Sequence, residues 1–202
     1  MPPGEAHASK AVPSRRLRRQ DRRVQIMDAA TNAFARNGFT ATSLDDIATE
    51  AGVSRVILYR HFDSKADLYR NILDRVCGRL ADACGRSGFT DDTLPALVSA
   101  AAEDPDGFRL LFHHAAREAE FRDEMSQFPA TMTETAAGEL PARVGDPSWA
   151  RWAAQLSSVV AVEAIVAWLD AGQPDPDHVV GRIRRVLDAI VHPTPTRTRT
   201  GR

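Results

Sequence analysis

Residues 42–68 read TSLDDIATEAGVSRVILYRHFDSKADL and contain two short helical patterns separated by a glycine. Ser43 is a typical N-cap residue, and Asp46 follows three positions later, as in a capping box. Gly52 is predicted to end the first helix, because a left-handed backbone costs glycine little. Ser54 is predicted to cap the second helix. A helix, a short turn with glycine and a second helix constitute the helix-turn-helix pattern.

Apolar spacing predicts which sides of the two helices are buried. Ile47, Ala48 and Ala51 form the inner face of the first helix, and the small Ala48 allows the second helix to cross closely. Leu58 and Phe62 lie four positions apart and form the inner stripe of the second helix.

The outer face of the second helix carries side chains suited to the major groove of DNA. With Leu58 inward, Val56 and Arg60 point away from the core at about 100° per residue. Arginine pairs with N7 and O6 of guanine, and apolar side chains contact the thymine methyl group. A helical hairpin with an ordinary charged surface is the alternative. The flanking residues are Arg55, Ile57, Tyr59 and His61.

The segment resembles the DNA-binding region of the TetR family of transcriptional regulators. This resemblance covers about a quarter of the chain. The matching residues are Ala33–Phe34, Gly38–Phe39, Thr42–Ser43, Ile47–Ala48, Ala51–Gly52–Val53–Ser54, Leu58–Tyr59–Arg60–His61–Phe62, Ser64–Lys65 and Leu68.

The resemblance implies phosphate contacts by Thr42 or Ser43 and by three further residues, with arginines at the DNA surface. Val56 and Ile57 stand where relatives often have a small residue followed by threonine or serine, so this chain lacks that hydroxyl and its operator differs. The predicted DNA-binding residues are Thr42, Ser43, Arg55, Val56, Ile57, Tyr59, Arg60, His61 and Lys65.

Charge is unevenly distributed along the 202-residue chain, although the net charge is only −1. Residues 1–65 carry eleven Lys and Arg and seven Asp and Glu, a net of +4. Residues 66–202 carry fifteen and twenty, a net of −5. A basic first third before an acidic remainder suggests one end that binds DNA and one that does not.

Nothing in the sequence indicates secretion or disulfide chemistry. The amino terminus lacks the apolar segment of a secretory signal, so we expect a cytoplasmic protein. Cys77 and Cys84 are seven residues apart on a predicted helix, where roughly 10 Å between their Cα atoms is too far for a disulfide. Two small buried residues is the favoured interpretation, and a redox switch is the alternative.

Composition, together with what the resemblance implies, divides the chain into four segments. Residues 1–20 are predicted to form a disordered basic arm. SRRLRRQDRR at residues 14–23 contains six arginines, which either follow DNA phosphates or form a solvated lead into a helix. Residues 21–65 form the predicted DNA-binding domain, residues 66–192 a helical ligand-binding and dimerisation domain, and residues 193–202 a disordered tail.

Helical periodicity predicts an all-α fold of about nine helices, without a convincing pair of strands. The long helix that starts in the DNA-binding domain is expected to act as a lever between the two domains. Besides the two motif helices, the predicted helices are Val24–Asn37, Ser64 to about Cys84, Asp92–Glu103, one opened by Pro105, Glu118–Leu140 with a break at Pro129, Trp149–Ala171 and Asp175–Val191.

The helix Trp149–Ala171 is apolar on every side and must be covered all round. Its polar residues argue against a membrane span, which is the rival interpretation. Together with the helix Asp175–Val191 it would form a four-helix seam in a two-fold dimer, and the resemblance implies the same interface. The predicted interface residues are Val160, Ile165, Trp168, Ile183, Val186 and Leu187.

The resemblance also implies a ligand cavity between the middle helices. Aromatic walls with a few polar groups are typical of small-molecule sites, although ordinary core packing explains each residue taken singly. His113 and His114 are adjacent and make a poor metal pair, and no metal or other cofactor is predicted. The predicted pocket residues are Phe108, Phe112, His113, Arg117, Phe121, Met125, Phe128, Trp152, Leu156 and Glu163.

Three functions compete on this evidence. The first is a repressor that a small molecule releases from a near-palindromic DNA operator. The second is a DNA-binding activator, or a regulator controlled by a partner protein. The third is a helical enzyme, but the sequence contains no nucleophile motif, phosphate loop, metal spacing or acid–base pair. We therefore expect a homodimeric transcriptional regulator with no catalytic residues.

Overall fold

A computed structural model describes residues 19–84, 90–115, 117–121, 134 and 146–192. Within these ranges the chain is all-helical, as predicted. A π-helical segment, Leu110–Ala115, directly continues the sixth helix. The α-helices are α1 (Arg19–Ala41), α2 (Leu44–Glu50), α3 (Arg55–Tyr59), α4 (Lys65–Cys84), α5 (Thr93–Glu103), α6 (Pro105–Arg109), α7 (Pro147–Asp170) and α8 (Val179–Val191).

Helix α1 begins five residues earlier than predicted. Arg19 and Gln20, which were assigned to a disordered arm, lie in its first turn. Both residue types favour helices, and Asp21 in the first turn suits the helix dipole. The rest of the predicted arm, residues 1–18, lies outside the described residues. Gly38 breaks the helical geometry with φ 77° and ψ 169°, where the sequence predicted the helix to stop.

The predicted caps of the helix-turn-helix are confirmed. The Ser43 hydroxyl accepts from the Asp46 amide at 3.1 Å, and the Asp46 carboxylate accepts from the Ser43 amide at 3.0 Å. The Ser43 hydroxyl also donates to the Asp46 carboxylate at 2.6 Å, and this bond, followed by the one from the Ser43 amide, lowers the pKa of Asp46. Gly52 has φ +61°, and Ser54 caps α3 by accepting from the Ile57 amide. Local chemistry therefore fixes both ends of the turn between α2 and α3.

Helices α1 to α4 enclose the first part of the core. The side chains predicted to point inward are buried, including Leu58 at 0% and Phe62 at 1% exposure. They pack with side chains of α1, α2 and α4, so each short motif helix is held by longer neighbours. Other buried members are Ile26, Phe34, Ile47, Leu68 and Ile72.

The predicted boundaries in the second half hold less well. Helix α7 begins at Pro147, two residues before the prediction, where the Asp146 carboxylate caps it. Helix α8 begins at Val179, four residues late, because Asp175 has a positive φ of 50° and starts a turn. Residues 118–121 form a turn rather than the predicted helix. The remainder of that helix, the loop before α7 and the carboxyl-terminal tail fall almost entirely outside the described residues.

Helix α7 packs against α5, α6 and α8. By length and composition alone it could cross a membrane. One side of it, which includes Ile165, Trp168 and Leu169, is nevertheless buried in the core of this chain. This burial supports a core helix over the rival interpretation of a membrane span.

Aromatic rings join the DNA-binding end to the rest of the protein. Phe121, from the turn after the π-helical segment, lies 4.8 Å from the Phe39 ring and 4.6 Å from the Tyr69 ring. Tyr69 on α4 also meets Phe34 edge-on at 4.9 Å. These four side chains, called the hinge cluster below, belong to one hydrophobic core that includes residues from both ends of the protein.

The Tyr69 hydroxyl is buried and has no hydrogen-bond partner among the described residues. Burial raises the pKa of Tyr69, and the nearby charge of Glu118 raises it further. We predict that Tyr69→Phe, which keeps the ring and removes this polar atom, increases the free energy of unfolding by about 1 kcal/mol. Urea denaturation measures the change, with the exposed Tyr59→Phe as the matched control. A clear loss of stability in Tyr69→Phe alone would contradict the prediction.

Candidate DNA-binding surface

The outer face of α3 is exposed, as the helical pattern predicts. Val56 is 63% exposed and Tyr59 is 47% exposed, and Arg60 also faces outward, while Leu58 on the opposite side is fully buried. Ile57 is half-buried and packs against the core, so it offers less surface to a partner than the sequence suggested. The exposed set matches the needs of major-groove readout, which combines arginine donors with apolar contacts.

Arg55 is held in place by groups on both motif helices. Its Nη1 lies 3.0 Å from the Asp45 carboxylate on α2, and its guanidinium lies 5.6 Å from the centre of the Tyr59 ring. The hydrogen bond to the Tyr59 hydroxyl and the charge of Asp45 both raise the pKa of Arg55. The residue is thus oriented at the surface, although it must leave Asp45 to bind a phosphate or a base.

Two residues that the resemblance assigns to phosphate contact use their polar atoms inside the protein. Thr42 is 1% exposed, and its hydroxyl donates to the Gly38 carbonyl at 2.7 Å. The Lys65 ammonium donates to the carbonyls of Phe39 and Thr42 at 2.8 and 3.0 Å. Both side chains therefore brace the turn between α1 and α2. Ser43 stays exposed, but its hydroxyl serves the α2 cap.

His61 lies where the end of α3 meets the start of α1. It is half-buried, and its pKa is lowered by burial first and then by the positive charges of Arg19, Arg23 and Arg22. The first turn of α1 therefore adds positive charge beside the exposed face of α3. The sequence places these arginines in the basic run at residues 14–23, and it gives no sign that Arg23 turns inward toward α4 and the end of α3.

The described members of the predicted pocket lie in several different surroundings. Phe121 is fully buried in the hinge cluster, whereas Trp152 is 49% exposed beside Trp149. The rings of Phe108 and Phe112 contact each other at a tilt of 46°, with their centres 4.6 Å apart. Met125 and Phe128 lie outside the described residues. Among the others, Arg117 is exposed, Leu156 is half-buried, and His113 on the π-helical segment pairs with Glu163 on α7 at 3.3 Å.

Two open clefts occur elsewhere among the described residues. One of about 500 Å³ lies between α1, the start of α6 and the turn after α7, and it includes Asn32, Arg109 and Gln173. The other, about 690 Å³, lies between α4 and α5 and includes Arg79 and Ser99. None of the predicted pocket residues lines either cleft, so both differ from the predicted aromatic site.

Half of the predicted dimer residues are buried within a single chain. Ile165, Trp168 and Ile183 are at most 8% exposed, so they are not available to a partner, which corrects the prediction. A helix that is apolar on every side gives no sequence signal for which side faces its own core. The apolar side chains exposed on α7 and α8 are Trp152, Val159 and Val186, and Val160 and Leu187 are half-buried.

Neither metal ligation nor thiol chemistry is indicated in the part of the chain that the structure describes. No three His, Cys, Asp or Glu side chains come together there in a way that could hold a metal ion. Cys77 and Cys84 are free and half-buried, and burial raises the pKa of the Cys77 thiol to about 11. A thiol with a raised pKa is a poor nucleophile, which favours the interpretation of two small packing residues.

Comparison with known proteins agrees with this geometry. Residues 26–72, which run from α1 into α4, match the family described as bacterial regulatory proteins, tetR family. Over these residues the chain is similar to the TetR family. The match includes both caps, the glycine turn and the exposed face of α3.

Curated relatives of the TetR family match part of this chain. They include the HTH-type transcriptional activator FasR of Mycolicibacterium smegmatis, 36% identical over 49% of each chain. The HTH-type transcriptional repressor KstR2 of Rhodococcus jostii is 33% identical over 59% of this chain and 57% of its own. The HTH-type transcriptional regulator TtgR of Pseudomonas putida is 47% identical over 39% and 37%. This chain therefore spans about half the length, or less, of the relatives it matches.

Solved TetR-like structures share the fold across most of the chain. A TetR-like regulator from Rhodococcus sp. RHA1 has a TM-score of 0.72 and 20% identity, covering 87% of this chain and 96% of its own. FadR from Bacillus subtilis, solved in complex with stearoyl-CoA, has a TM-score of 0.58 and 21% identity, covering 83% and 97%. At these identities the likeness establishes the fold alone.

Arg60 provides a direct test of the α3 surface. We predict that Arg60→Ala weakens binding to a specific duplex by about 1–3 kcal/mol, the range for losing a good base contact. Titration of a labelled duplex measures the loss. The control is Arg79→Ala, which removes the same charge from the surface of α4, far from the motif. Equal affinity in both variants would remove Arg60 from readout.

Proposed function

We propose that this protein is a DNA-binding transcriptional regulator that binds a near-palindromic operator as a homodimer and is released by a small molecule. The exposed face of α3 carries the proposal. Val56, Tyr59 and Arg60 project from a helix whose opposite side is buried and whose start is capped. A rigid helix with arginine and apolar side chains on its free face suits the major groove.

Dimerisation through α7 and α8 is supported by apolar side chains that a single chain leaves uncovered. Trp152, Val159 and Val186, on the two helices proposed for the interface, are each about half exposed. A two-fold dimer covers this surface with the same surface of a second copy. It also sets two α3 helices about one DNA turn apart, or a multiple of it, which accounts for a near-palindromic operator.

For a small molecule to control DNA binding, the domain that binds it, residues 66–192, must contact the DNA-binding domain. The turn at residues 117–121 supports such a contact, because Phe121 packs in the hinge cluster. Glu118 approaches Thr40 at 3.4 Å, and Glu120 lies 3.7 Å from Arg70 on α4. Movement of the π-helical segment that precedes this turn would be passed to α1 and α4. Coupling of this kind is typically about 1–3 kcal/mol and acts equally in both directions.

The effector class remains open to direct testing. FadR of the same fold was solved with stearoyl-CoA, which makes acyl-CoA one class to include. Activation rather than repression is the second candidate, because FasR is described as an activator. Control by a partner protein is favoured if no small molecule changes DNA binding. The site supports binding and no catalysis, and the cytoplasm is the proposed location.

Selection of DNA by the purified full-length protein tests the proposal. A duplex library with a randomised central segment is incubated with the protein, and bound DNA is amplified through several cycles. We expect enrichment of a near-palindromic sequence, which stearoyl-CoA or another library compound then displaces in a gel shift. No enriched sequence would overturn DNA-specific regulation. Enrichment that every compound leaves unchanged would overturn small-molecule release and favour the second candidate.

A further inference from the structure

We propose that Arg23 is a positioning residue for the recognition helix α3 and does not contact DNA phosphates. It would hold the carboxyl end of α3 against α1 and α4. This inference rests on the proposed DNA-binding function and adds to it a residue that fixes the angle at which α3 meets DNA.

The Arg23 guanidinium on α1 contacts two other parts of the DNA-binding end, the segment just beyond α3 and helix α4. Its Nη1 donates to the His61 carbonyl just beyond α3 at 2.8 Å. Its Nη2 donates to Oδ1 of Asn71 on α4 at 2.6 Å. The guanidinium carbon lies 4.3 Å from the centre of the Phe62 ring, which is itself buried. One planar side chain therefore joins α1, α4 and the end of α3.

The contact with His61 matters because it holds the chain directly beyond the carboxyl end of α3, two residues after Tyr59. Helix α3 has only five residues and is too short to be stable alone. Its direction is therefore set by its neighbours. An arginine suits this role, because its planar fork serves two acceptors at fixed angles and its flat face stacks on an aromatic ring.

The network continues beyond Arg23. Asn71 Nδ2 donates to the backbone carbonyl of Asp67 at 2.7 Å and to its carboxylate at 2.9 Å. The same carboxylate accepts from the amide of Asp63, in the turn after α3, at 3.0 Å. On the other side of α1, Gln25 donates to the carbonyl of Ala51 at the end of α2, at 2.8 Å. The first turns of α1 thus hold the carboxyl ends of both motif helices.

The competing role for Arg23 is a phosphate contact, as in a basic arm. Its neighbour Arg22 provides the comparison, because its only described hydrogen bond is to Gln25 within α1. A phosphate contact releases counterions from DNA. Its removal therefore makes the slope of log K against log salt concentration, called the salt slope below, shallower by about one. Lysine can largely replace arginine in a phosphate contact. It cannot donate to two acceptors at fixed angles while it also stacks on an aromatic ring.

The test uses five variants of the full chain: Arg23→Ala, Arg23→Lys, Asn71→Ala, the double variant Arg23→Ala with Asn71→Ala and, as the matched control, Arg22→Ala. Dissociation constants are measured over a range of salt concentrations for two probes, the duplex enriched by the wild-type protein and a random-sequence duplex. Thermal unfolding of each variant shows that it is folded. Arg23→Lys and Asn71→Ala are milder changes that keep the test valid if Arg23→Ala fails to fold.

We expect Arg23→Ala to weaken binding to the enriched duplex about tenfold, the effect of one lost charge-assisted hydrogen bond. Binding to random DNA and the salt slope should stay unchanged, and lysine should not restore affinity. The double change Arg23→Ala with Asn71→Ala should be no weaker than Arg23→Ala alone, within about twofold, because the two residues form one unit. Arg22→Ala should lower the salt slope.

A lower salt slope in Arg23→Ala, or full rescue by lysine, would assign Arg23 to phosphate contact and overturn the proposal. Wild-type affinity in Asn71→Ala together with wild-type affinity in Arg23→Lys would overturn it as well. If the wild-type protein enriches no duplex, the proposed function itself fails. If instead the wild-type protein binds its duplex and the variants bind it equally well, only the proposed role of Arg23 fails.

Discussion

Edge-on and tilted contacts among the rings of Phe39, Tyr69 and Phe121 join the DNA-binding end and the helical body into one packed unit. Their ring centres lie within about 5 Å of one another, and they come from the end of α1 just after Gly38, from α4 and from the turn at residues 117–121. Protein cores are densely packed and do not deform continuously, so a shift on one side displaces the other. Regulation by a ligand bound among the other helices requires such packing, because the ligand can change DNA binding only through contacts that differ between two conformations of the protein.

On the DNA side of this joint, side chains brace backbone atoms that would otherwise lack partners. Arg23, Gln25 and Lys65 each donate to carbonyls in or next to the turns that end α1, α2 and α3. The short helices α2 and α3 contribute little stability of their own. Their orientation therefore depends on α1 and α4, the same helices that form the hinge cluster. The exposed face of α3 is thus positioned by residues that do not themselves read DNA.

The features that sequence could predict are local ones. Ser43, Gly52 and Ser54 act within a few residues of their own positions, and the inward spacing of Leu58 and Phe62 fixes the outer face of α3. Contacts across long separations carry no comparable signal. Phe121 resembles a pocket residue by composition but packs 82 positions away against Phe39, and Arg23 resembles an arm residue but binds at α4. The prediction of the dimer-interface residues was partly wrong for a related reason. Periodicity cannot show which side of an evenly apolar helix such as α7 faces its own core.

Hydrogen exchange of the full-length protein, with and without its enriched duplex, tests the coupling between the two ends most directly. Exchange reports the opening of individual segments, so it detects changes remote from the bound DNA. The account predicts slower exchange in α3 and also in α4 and at residues 117–121, which lie behind the hinge cluster. Slower exchange confined to α1, α2 and α3, with residues 117–121 unchanged, would contradict coupling through the hinge cluster between the DNA-binding domain and the rest of the protein.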